Sequence, residues 1–550
     1  MREIILKHAL INATLHDGKA SVKPVLGKVL AEKPELKKDI KSLIKEINEV
    51  VAYVNRLSLE EQKKKLEELG VSLEKKKEEE KELPPLPNAV EGKVITAFPP
   101  EPSKYPHIGH AKSAFLNHYY ARKYGGKFIL RFEDSNPLKV KEGYYEAFEQ
   151  GLKWLGLEWD EIDFLSDHMD EYYAITEKLL KTGKAYVCTC PAEKVRKLRR
   201  EMKACEHRNQ PIEKNLELWE KMVEGDLKEG EANVRLKIDM SHPNAVMRDP
   251  AIMRPLHATH VRVGDEYKVW PLYDFGTALL DAWEGVTHRI RSKEFEMRIE
   301  LQNYIREVCG FKNHPTIIEI ARFQIEGAIS SGRVIREMMS KGELMGWDDP
   351  RLVTLVALKR RGFLPQAIKD FLLETGVSKS ESIVSWEVLE KINRRYVDSI
   401  ANRYFAVFEP VRIRIVNSPD VEYAEAPLHP DFPERGKRKI PVKLNEVYVE
   451  KSDFEKFEGK IVRLKDLFNV RLGLTSEYVG DEIVKEMPKI HWVSVPNVKA
   501  KVVMPDAKVV EALAEPLLEK EEVDRIVQLE RNGFCRVDSK EPLTLFFTHK

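Results

Sequence analysis

The segment from residue 94 to residue 132 constrains the fold more than any other part of the chain. Val94–Thr96 predicts a buried strand, a helix follows from about Gly109 to Tyr124, and Phe128–Phe132 predicts a second strand. Four prolines, at positions 99, 100, 102 and 106, break the chain between the first strand and the helix. A strand, a helix and a strand at this spacing predict a parallel sheet.

The proline-rich turn carries the most specific motif of the chain. It runs Phe98-Pro99-Pro100-Glu101-Pro102-Ser103-Lys104-Tyr105-Pro106-His107-Ile108-Gly109-His110. An open parallel sheet binds ligands at this position, where the amides of a helix N-terminus favour phosphate. His107 and His110 are close enough to reach one phosphoryl group, and Gly109 leaves the backbone bare for a nucleotide base. We therefore predict a nucleotide site that includes Pro99 and Pro100; a chance histidine pair at a helix cap is the weaker alternative.

The composition indicates several soluble domains and excludes a membrane protein. The 550 residues are 42% hydrophobic and 33% charged, with a net charge of only +1. No window approaches the roughly 18 consecutive apolar residues that a membrane helix needs. Residues 1–7 lack the apolar core of a signal peptide. We expect a cytoplasmic protein, and nucleic-acid binding would require the basic residues to be segregated into local patches.

The turn motif resembles the signature of the class I aminoacyl-tRNA synthetases. The segment Arg131-Phe132-Glu133-Asp134-Ser135-Asn136-Pro137 narrows the resemblance to the glutamyl and glutaminyl subfamily. Further matches are Tyr273-Asp274-Phe275, Glu284-Gly285-Val286-Thr287-His288, Gly346-Trp347-Asp348-Asp349-Pro350-Arg351 and Lys489-Ile490-His491-Trp492-Val493. The resemblance, strongest to the archaeal glutamyl type, implies a ligase that uses ATP, Mg2+, L-glutamate and tRNA.

The fold implied by this resemblance is multidomain, α/β followed by β. Residues 89–345 would form a Rossmann catalytic domain with an acceptor-stem domain inserted at about 165–265, and 346–402 a helical connector. Short alternating runs after Phe405 independently predict a β region over 403–550, which the resemblance implies to be anticodon-binding β-barrels. Residues 1–88 predict a helical extension with a charge run, Glu60–Glu82, and a proline linker.

A second ATP signature aligns with Ala328-Ile329-Ser330-Ser331-Gly332-Arg333. In most class I enzymes this mobile loop places a lysine on the pyrophosphate leaving group, but Gly332 stands at that position here. The resemblance then implies that Arg333, or as the weaker alternative Arg336, supplies the cation and that Ser330 and Ser331 contact ATP. Two further departures are Lys104, where glycine is usual, and Ala97, where arginine is usual. A non-catalytic tRNA-binding paralogue is therefore an alternative.

The choice between glutamate and glutamine depends on Arg291. A guanidinium pairs bidentately with a carboxylate and presents only donors to the NH2 of an amide. Arg291 aligns with the arginine that recognises the side-chain carboxylate in glutamyl enzymes, and Glu133 and Tyr273 align with residues that contact the amino acid. We predict a glutamate–tRNA ligase; a glutaminyl ligase, or an Arg291 that is only a surface residue, are the alternatives.

Four side chains form a candidate metal site in the inserted domain. Cys188, Cys190, Cys205 and His207 are ligands of the type that bind tetrahedral zinc, and an odd total of five cysteines argues against a disulfide framework. The resemblance supports zinc, because many glutamyl enzymes carry a comparable pattern. Free thiols are the alternative, and a catalytic role is not expected.

Basic clusters are spread over three predicted domains, at 194–200, 359–361, 391–395 and 435–439. Each cluster alone is typical of a solvated face. Together they would follow a tRNA from acceptor stem to anticodon through phosphate contacts. The predicted partner is a glutamate-acceptor tRNA, and whether the glutamine acceptor is also charged stays open.

Overall fold

The computed structural model describes residues 2–15, 18–33, 36, 39–69 and 82–550. They divide into two compact units, Met1–Glu82 and Leu83–Lys550. In these described residues, no helix has both the length and the apolar character that crossing a membrane requires. Of the predicted charge run Glu60–Glu82, positions 70–81 lie outside the described residues.

In its described residues, the first unit consists of four helices. They are α1 Arg2–Leu15, α2 Val22–Glu32, α3 Ile40–Val54 and α4 Leu59–Glu68. The predicted helical extension therefore consists of separate short helices in the described residues. Apolar side chains such as Ile5, Val29 and Ile47 are fully buried between them, and the buried Gln62 donates from Nε2 to the carbonyl oxygens of Gly18 and Val54, each at 2.9 Å.

The second unit opens with the predicted strand, helix and strand. Its first elements are β1 Ile95–Phe98, α5 Ile108–Lys123, β2 Lys127–Phe132, α6 Glu142–Trp154 and β3 Glu161–Phe164. An antiparallel four-stranded sheet, in the order β4-β5-β6-β7, is inserted next. The inserted region comprises α7 Met169–Lys181, β4 Ala185–Cys188, α8 Ala192–Arg200, α9 Ile212–Glu224, β5 Asn233–Leu236, β6 Ala251–Pro255 and β7 Val269–Pro271.

The chain then returns to the first sheet and completes it. The returning elements are α10 Tyr273–Trp283, β8 His288–Ser292, α11 Ile299–Cys309 and β9 Thr316–Ile320. The five strands pair in the order β3-β2-β1-β8-β9, and every pair is parallel, which confirms the predicted parallel sheet. Strand order reverses between β1 and β8, the position where such sheets bind ligands beyond the carboxyl ends of their strands.

The proline segment predicted as a linker packs on this sheet's helices. Tyr120 donates its hydroxyl to the carbonyl of Pro84 at 2.9 Å, and the amide of Leu86 donates to the hydroxyl of Tyr124 at 2.9 Å. Leu83 and Leu86 are both 5% exposed. The prolines keep this segment extended, so its leucines pack into the hydrophobic core around the sheet instead of facing solvent.

A helical region follows the sheet. It contains β10 Phe323–Ile325, α12 Gly332–Ser340, α13 Leu355–Arg360, α14 Pro365–Thr375, β11 Ser382–Val384 and α15 Trp386–Ile400. This region supports the proline-rich turn, because the amide of Ile108 donates to Val353 at 3.0 Å and the amide of Leu355 donates to Pro106 at 2.9 Å.

The C-terminal region is rich in β-structure, as predicted. Its elements are β12 Asn402–Tyr404, β13 Ala406–Phe408, β14 Pro410–Val416, β15 Tyr423–Pro427, β16 Lys437–Pro441, β17 Val447–Glu450, α16 Lys451–Phe457, β18 Ile461–Leu464, β19 Asn469–Arg471, β20 Thr475–Gly480, β21 Lys489–Ile490, β22 Trp492–Ser494, β23 Val498–Val503, β24 Val509–Ala514, β25 Ile526–Leu529, β26 Gly533–Lys540 and β27 Leu543–His549. Two seven-stranded sheets form, one containing β23–β27 and one containing β17–β22, together with the β15–β16 hairpin.

A buried ionic cluster attaches the β15–β16 hairpin to both sheets. Arg438 is 1% exposed and pairs with Glu515 and with Glu530, each at 2.9 Å. Lys465, which follows β18 in the other sheet, binds the second oxygen of Glu530. Arg438 is therefore unavailable to tRNA phosphate, and so is Arg361 of the 359–361 cluster, which is 2% exposed and donates to the carbonyl of Thr548. We correct the expectation that these two residues bind tRNA.

The substitution R438M tests this cluster. It would leave two buried carboxylates without their shared cation, and breaking such a buried pair costs about 3–5 kcal/mol. We expect the free energy of unfolding of the C-terminal region to fall by that amount in chemical denaturation. The control is K437M, since the Lys437–Glu425 pair at 3.5 Å is exposed on both sides and such pairs contribute about 0–1 kcal/mol. Equal losses in the two variants would contradict the assignment.

Candidate functional site

A cavity of about 700 Å3 lies beyond the carboxyl ends of β1 and β8. The predicted site residues that line it are Pro99, Pro100, His107, Gly109, His110, Glu133, Tyr273, Arg291, Ser330 and Ser331. Arg333 is exposed and is not among the lining residues, whereas Lys104 and Arg322 are. Residues predicted separately as nucleotide-binding and amino-acid-binding thus share one continuous space.

The two histidines hold their protons toward the cavity. His107 caps α5, because its Nδ1 accepts the amide N–H of Gly109 at 3.0 Å, and Nδ1 of His110 accepts the amide N–H of His107 at 3.2 Å. A neutral imidazole carries one proton, so in each ring it is on Nε2. Burial lowers the pKa of His107 to about 3 and holds the pKa of His110 well below its usual value. Both are therefore neutral N–H donors at pH 7.

Gly109 is required by the ring of His107. A Cβ at position 109 would lie 2.8 Å from Cε1 of that ring, which is closer than side chains pack. The glycine was predicted to leave room for a nucleotide base. The structure gives it a second reason, since only glycine lets His107 fold back and cap its own helix.

Aromatic packing fixes the turn that carries the histidines. Tyr105 stacks on Trp347 with ring centroids 5.2 Å apart and meets Tyr144 edge-on at 6.0 Å. Thr354 donates its hydroxyl to the carbonyl of Trp347 at 2.5 Å and forms a backbone bridge with His107. The Gly346–Arg351 motif therefore packs against the proline-rich turn and holds it in place.

Arg291 is a buried cation without an anionic partner. Its side chain lies on β8 and is 6% exposed, so it is not a surface arginine. Nη1 donates to Oε1 of Gln302 at 2.7 Å and Nη2 donates to the carbonyl of Phe295 at 3.4 Å, while Nε has no partner. In the described part of the chain, no carboxylate lies within 4 Å of this guanidinium. Burial lowers its pKa, and an anionic ligand in the cavity would relieve that cost.

The neighbouring arginines, which sequence reasoning missed, are already paired. Arg131 contacts Glu133 at 3.1 Å, Asp281 at 3.0 Å and Glu284 at 2.7 Å, while Arg289 contacts Asp281 at 2.5 Å. The signal was present in the sequence as charged residues inside strands. Arg131 holds the Glu133 carboxylate at the cavity wall.

Tyr273 lies on the cavity wall at the start of α10. Burial first, and then the charge of Glu133, raise the pKa of Tyr273 to about 12. Its hydroxyl therefore keeps its proton at neutral pH and acts as a donor.

Ala97 does not line the cavity. It is 1% exposed and packs with Ile129 and Val286. Because Thr96 pairs with His288, Ala97 lies on the same face of the sheet as Arg289 and Arg291. Arg289 is ion-paired with Asp281, so Arg291 supplies the unpaired positive charge on this face.

The four candidate metal ligands converge in the inserted domain. Sγ of Cys188 lies 3.8 Å from Sγ of Cys205, and Nδ1 of His207 lies 3.4 Å from Sγ of Cys190. All four ligand atoms lie within 4.8 Å of one another. A tetrahedral zinc ion with Zn–S bonds of about 2.3 Å separates its sulfurs by about 3.8 Å, so the donor set fits that ion.

The surroundings of this cluster also suit a metal. Thr189 Oγ1 lies 3.0 Å from Nε2 of His207 and can accept a hydrogen bond from an Nε2–H group, which leaves Nδ1 free as a ligand. The buried guanidinium of Arg235 lies 3.8 Å from Sγ of Cys188 and 3.9 Å from Sγ of Cys205, where it offsets thiolate charge.

Comparison with known proteins gives matches over most of the chain. Residues 93–399 match the catalytic domain of the class I tRNA synthetases (E and Q), and residues 401–488 and 489–538 match two anticodon-binding domain models of the same group. Glutamate–tRNA ligase of Thermococcus kodakarensis is 45% identical over 575 residues, and that of Pyrococcus furiosus is 44% identical over 579 residues, with 100% of both chains covered in each case. Glutamate–tRNA ligase of Methanothermobacter thermautotrophicus is 40% identical over 558 residues, again with 100% coverage. The chain belongs to the class I tRNA synthetases of the glutamate and glutamine group.

Proposed function

We propose that this protein attaches glutamate to tRNA in two steps. An oxygen of the glutamate α-carboxylate attacks the α-phosphorus of Mg–ATP, and the bond to the β-phosphate breaks to release pyrophosphate. The 2′-hydroxyl of the terminal adenosine of tRNA then attacks the carbonyl of the adenylate, and AMP leaves. The observation that carries the proposal is Arg291, a buried guanidinium that lines the cavity and has no carboxylate partner.

Arg291 selects the amino acid by charge. It would pair with the side-chain carboxylate of glutamate. The NH2 group of glutamine would instead face the N–H groups of the guanidinium, and two donors cannot form a hydrogen bond with each other. Tyr273 and Glu133 lie on the same wall, where the carboxylate of Glu133 suits the ammonium group of the substrate. Its ion pair with Arg131 keeps that carboxylate in place.

His107 and His110 would stabilise the phosphoryl group as it is transferred. Two neutral Nε2–H donors that are fixed in position beforehand stabilise developing oxyanion charge without moving a proton. Arg333 was predicted to stabilise the pyrophosphate, but its side chain is exposed and lies outside the cavity lining, so the geometry offers no support for that role.

tRNA recognition would use the remaining domains. We propose that the inserted domain, at about 165–265, binds the acceptor stem of the tRNA. Residues 346–402 would connect the catalytic domain to the C-terminal region, and the two sheets over 403–550 would form the barrels that bind the anticodon. Basic residues of α8, none of which is buried, are the best phosphate contacts near the acceptor end. Residues 1–88 remain a helical extension in this division.

The direct test is charging of total tRNA with labelled glutamate, with labelled glutamine as the control. We expect glutamate to be attached and glutamine to be a poor substrate. Preferential charging of glutamine would establish the glutaminyl alternative. Binding of ATP and tRNA with no charging by any amino acid would establish the non-catalytic alternative.

The substitution R291A should change the substrate preference. Removing one partner of a buried charge pair costs about 2–5 kcal/mol, or roughly 30- to 5,000-fold in kcat/KM for glutamate. Glutamine carries no charge and should lose far less, so the ratio of the two kcat/KM values should shrink. R291K, which keeps the charge and loses the planar fork, should fall between the two proteins. If charging of both amino acids weakens equally and the KM for tRNA rises, Arg291 is not the carboxylate reader.

The pH dependence of activation follows from the lowered pKa of His107. Because that pKa is about 3, the ring is neutral and remains a donor throughout pH 5–8. We expect H107A to lower the charging rate by roughly 10²- to 10³-fold, a loss typical of one oxyanion donor. The fold-loss should be constant from pH 5 to 8. An inflection near pH 6.5 in the starting protein that is absent from H107A would show that the ring titrates and would contradict this account.

We further propose that Cys188, Cys190, Cys205 and His207 hold a structural zinc ion. Zinc would cross-link β4 to the segment that follows α8, and the distances between the four ligand atoms support this. No step of the reaction requires it, because these ligands do not line the cavity.

Elemental analysis tests the zinc proposal. We expect one zinc per chain, lost in C188S, and a lower melting temperature after chelation. C309S is the matched control, since Cys309 lies outside the cluster, and it should keep the metal. Protein purified without chelator that is metal-free and fully folded would rule out zinc.

A further inference from the structure

Lys104 places an unpaired ammonium group at the nucleotide end of the cavity. Its Nζ lies 3.5 Å from Nε2 of His107, and both residues line the cavity. Since Nδ1 of His107 already accepts the amide of Gly109, Nε2 carries the ring proton and cannot accept one from lysine. Two donors therefore face each other with no acceptor between them. Within the described residues, Lys104 has no carboxylate at ion-pair distance.

An anion would satisfy both donors at once. Arg322 also lines the cavity, and its positive charge acts on Lys104 and on His107. Two carboxylates line the same cavity: Glu294 is ion-paired with Arg322, and Glu101, whose charge also acts on Lys104, accepts from the Ser103 hydroxyl at 2.9 Å. Among the described residues neither carboxylate lies at ion-pair distance from Lys104, so the lysine lacks a direct anionic partner.

Gly332 provides the space in which the lysine lies. A Cβ at position 332 would lie 2.9 Å from Cδ and 3.1 Å from Cβ of Lys104. The lysine stem thus crosses bare backbone at the first residue of α12. Arg336, one turn further along α12, donates to the carbonyl of Ser103 at 2.8 Å and keeps the turn against this helix.

We propose that Lys104, together with His107, binds a phosphate oxygen of ATP and supplies the cation of the activation step, and that position 332 is glycine because a side chain there would displace this lysine. The inference rests on the proposed function and names the cation for it. As the bond between the α- and β-phosphates breaks, the electron pair passes to the pyrophosphate oxygen. Lys104 stabilises that charge and transfers no proton.

Lys104 explains two features of the sequence together. The resemblance to the class I synthetases implies a lysine at the position of Gly332 and a glycine at the position of Lys104, and this chain has the reverse. The structure brings these two positions into contact. In this chain the contact therefore carries its positive charge on the Lys104 side, while Arg333, the expected source of the cation, stays exposed outside the lining.

The test compares K104M with R333M in two assays on the full-length protein. In charging with saturating glutamate and tRNA, K104M should lower kcat by roughly 10²- to 10³-fold. In calorimetric titration, its Kd for ATP should rise roughly 10- to 150-fold, as expected for loss of a charge-assisted hydrogen bond. R333M should stay within about twofold of the starting protein in both assays.

A double-mutant cycle separates this role from a structural one. G332A should lower kcat in the starting protein, because its methyl group displaces the lysine stem, but it should have no further effect in K104M. K104R should retain part of the activity. In K104G/G332K, a lysine that begins at position 332 enters the same space, so activity should recover relative to K104G.

The proposal is overturned if K104M leaves both kcat and the Kd for ATP unchanged, or if G332A lowers kcat equally with and without Lys104. A large loss in R333M with none in K104M would also overturn it and return the role to Arg333. Failure of the starting protein to charge glutamate would refute the proposed function instead. The ATP titration does not depend on that activity and would still decide the role of Lys104.

Discussion

The site depends on an imbalance of buried charge around strand β8. Arg131, Arg289 and Arg306 all approach the carboxylate of Asp281, at 3.0, 2.5 and 3.5 Å. Burying a cation is costly unless an anion accompanies it, and these three share theirs in a dense network. Arg291, on the same strand, receives only neutral partners. The sheet therefore presents an uncompensated positive charge to the cavity, and a substrate carboxylate can complete the pairing.

At the opposite end of the cavity, hydrogen-bond donors also face the space without an acceptor, but the histidine donors there are neutral. Backbone amides occupy Nδ1 of His107 and of His110, which fixes both Nε2–H groups as donors before any ligand arrives. Lys104 adds a full charge beside them. Donors fixed in advance need no reorganisation when charge develops, and this is the condition under which they lower a reaction barrier most. A ligand that is anionic at both ends, such as glutamate joined to phosphate, fits such a cavity.

The sequence patterns predicted those helices and strands that bury apolar side chains. The first strand, the helix after it, the second strand at Phe128–Phe132 and the proline-rich turn all appear where the periodicity and the prolines indicated. Strand His288–Ser292 was not predicted, because its alternating histidine and arginines look like a solvated segment until Asp281 is seen beneath them. The contact of Lys104 with Gly332 was equally invisible, since it joins residues that are distant in sequence and depends on the path of one flexible side chain.

The most direct measurement is a crystal structure of the protein with tRNA and a non-hydrolysable analogue of glutamyl-adenylate. The account predicts that the side-chain carboxylate of the analogue forms a bidentate pair with Arg291. It also predicts that the phosphate mimic lies within hydrogen-bonding distance of both Nζ of Lys104 and Nε2 of His107. An analogue whose carboxylate points away from Arg291, with that guanidinium still bound only to Gln302 and Phe295, would contradict the central claim.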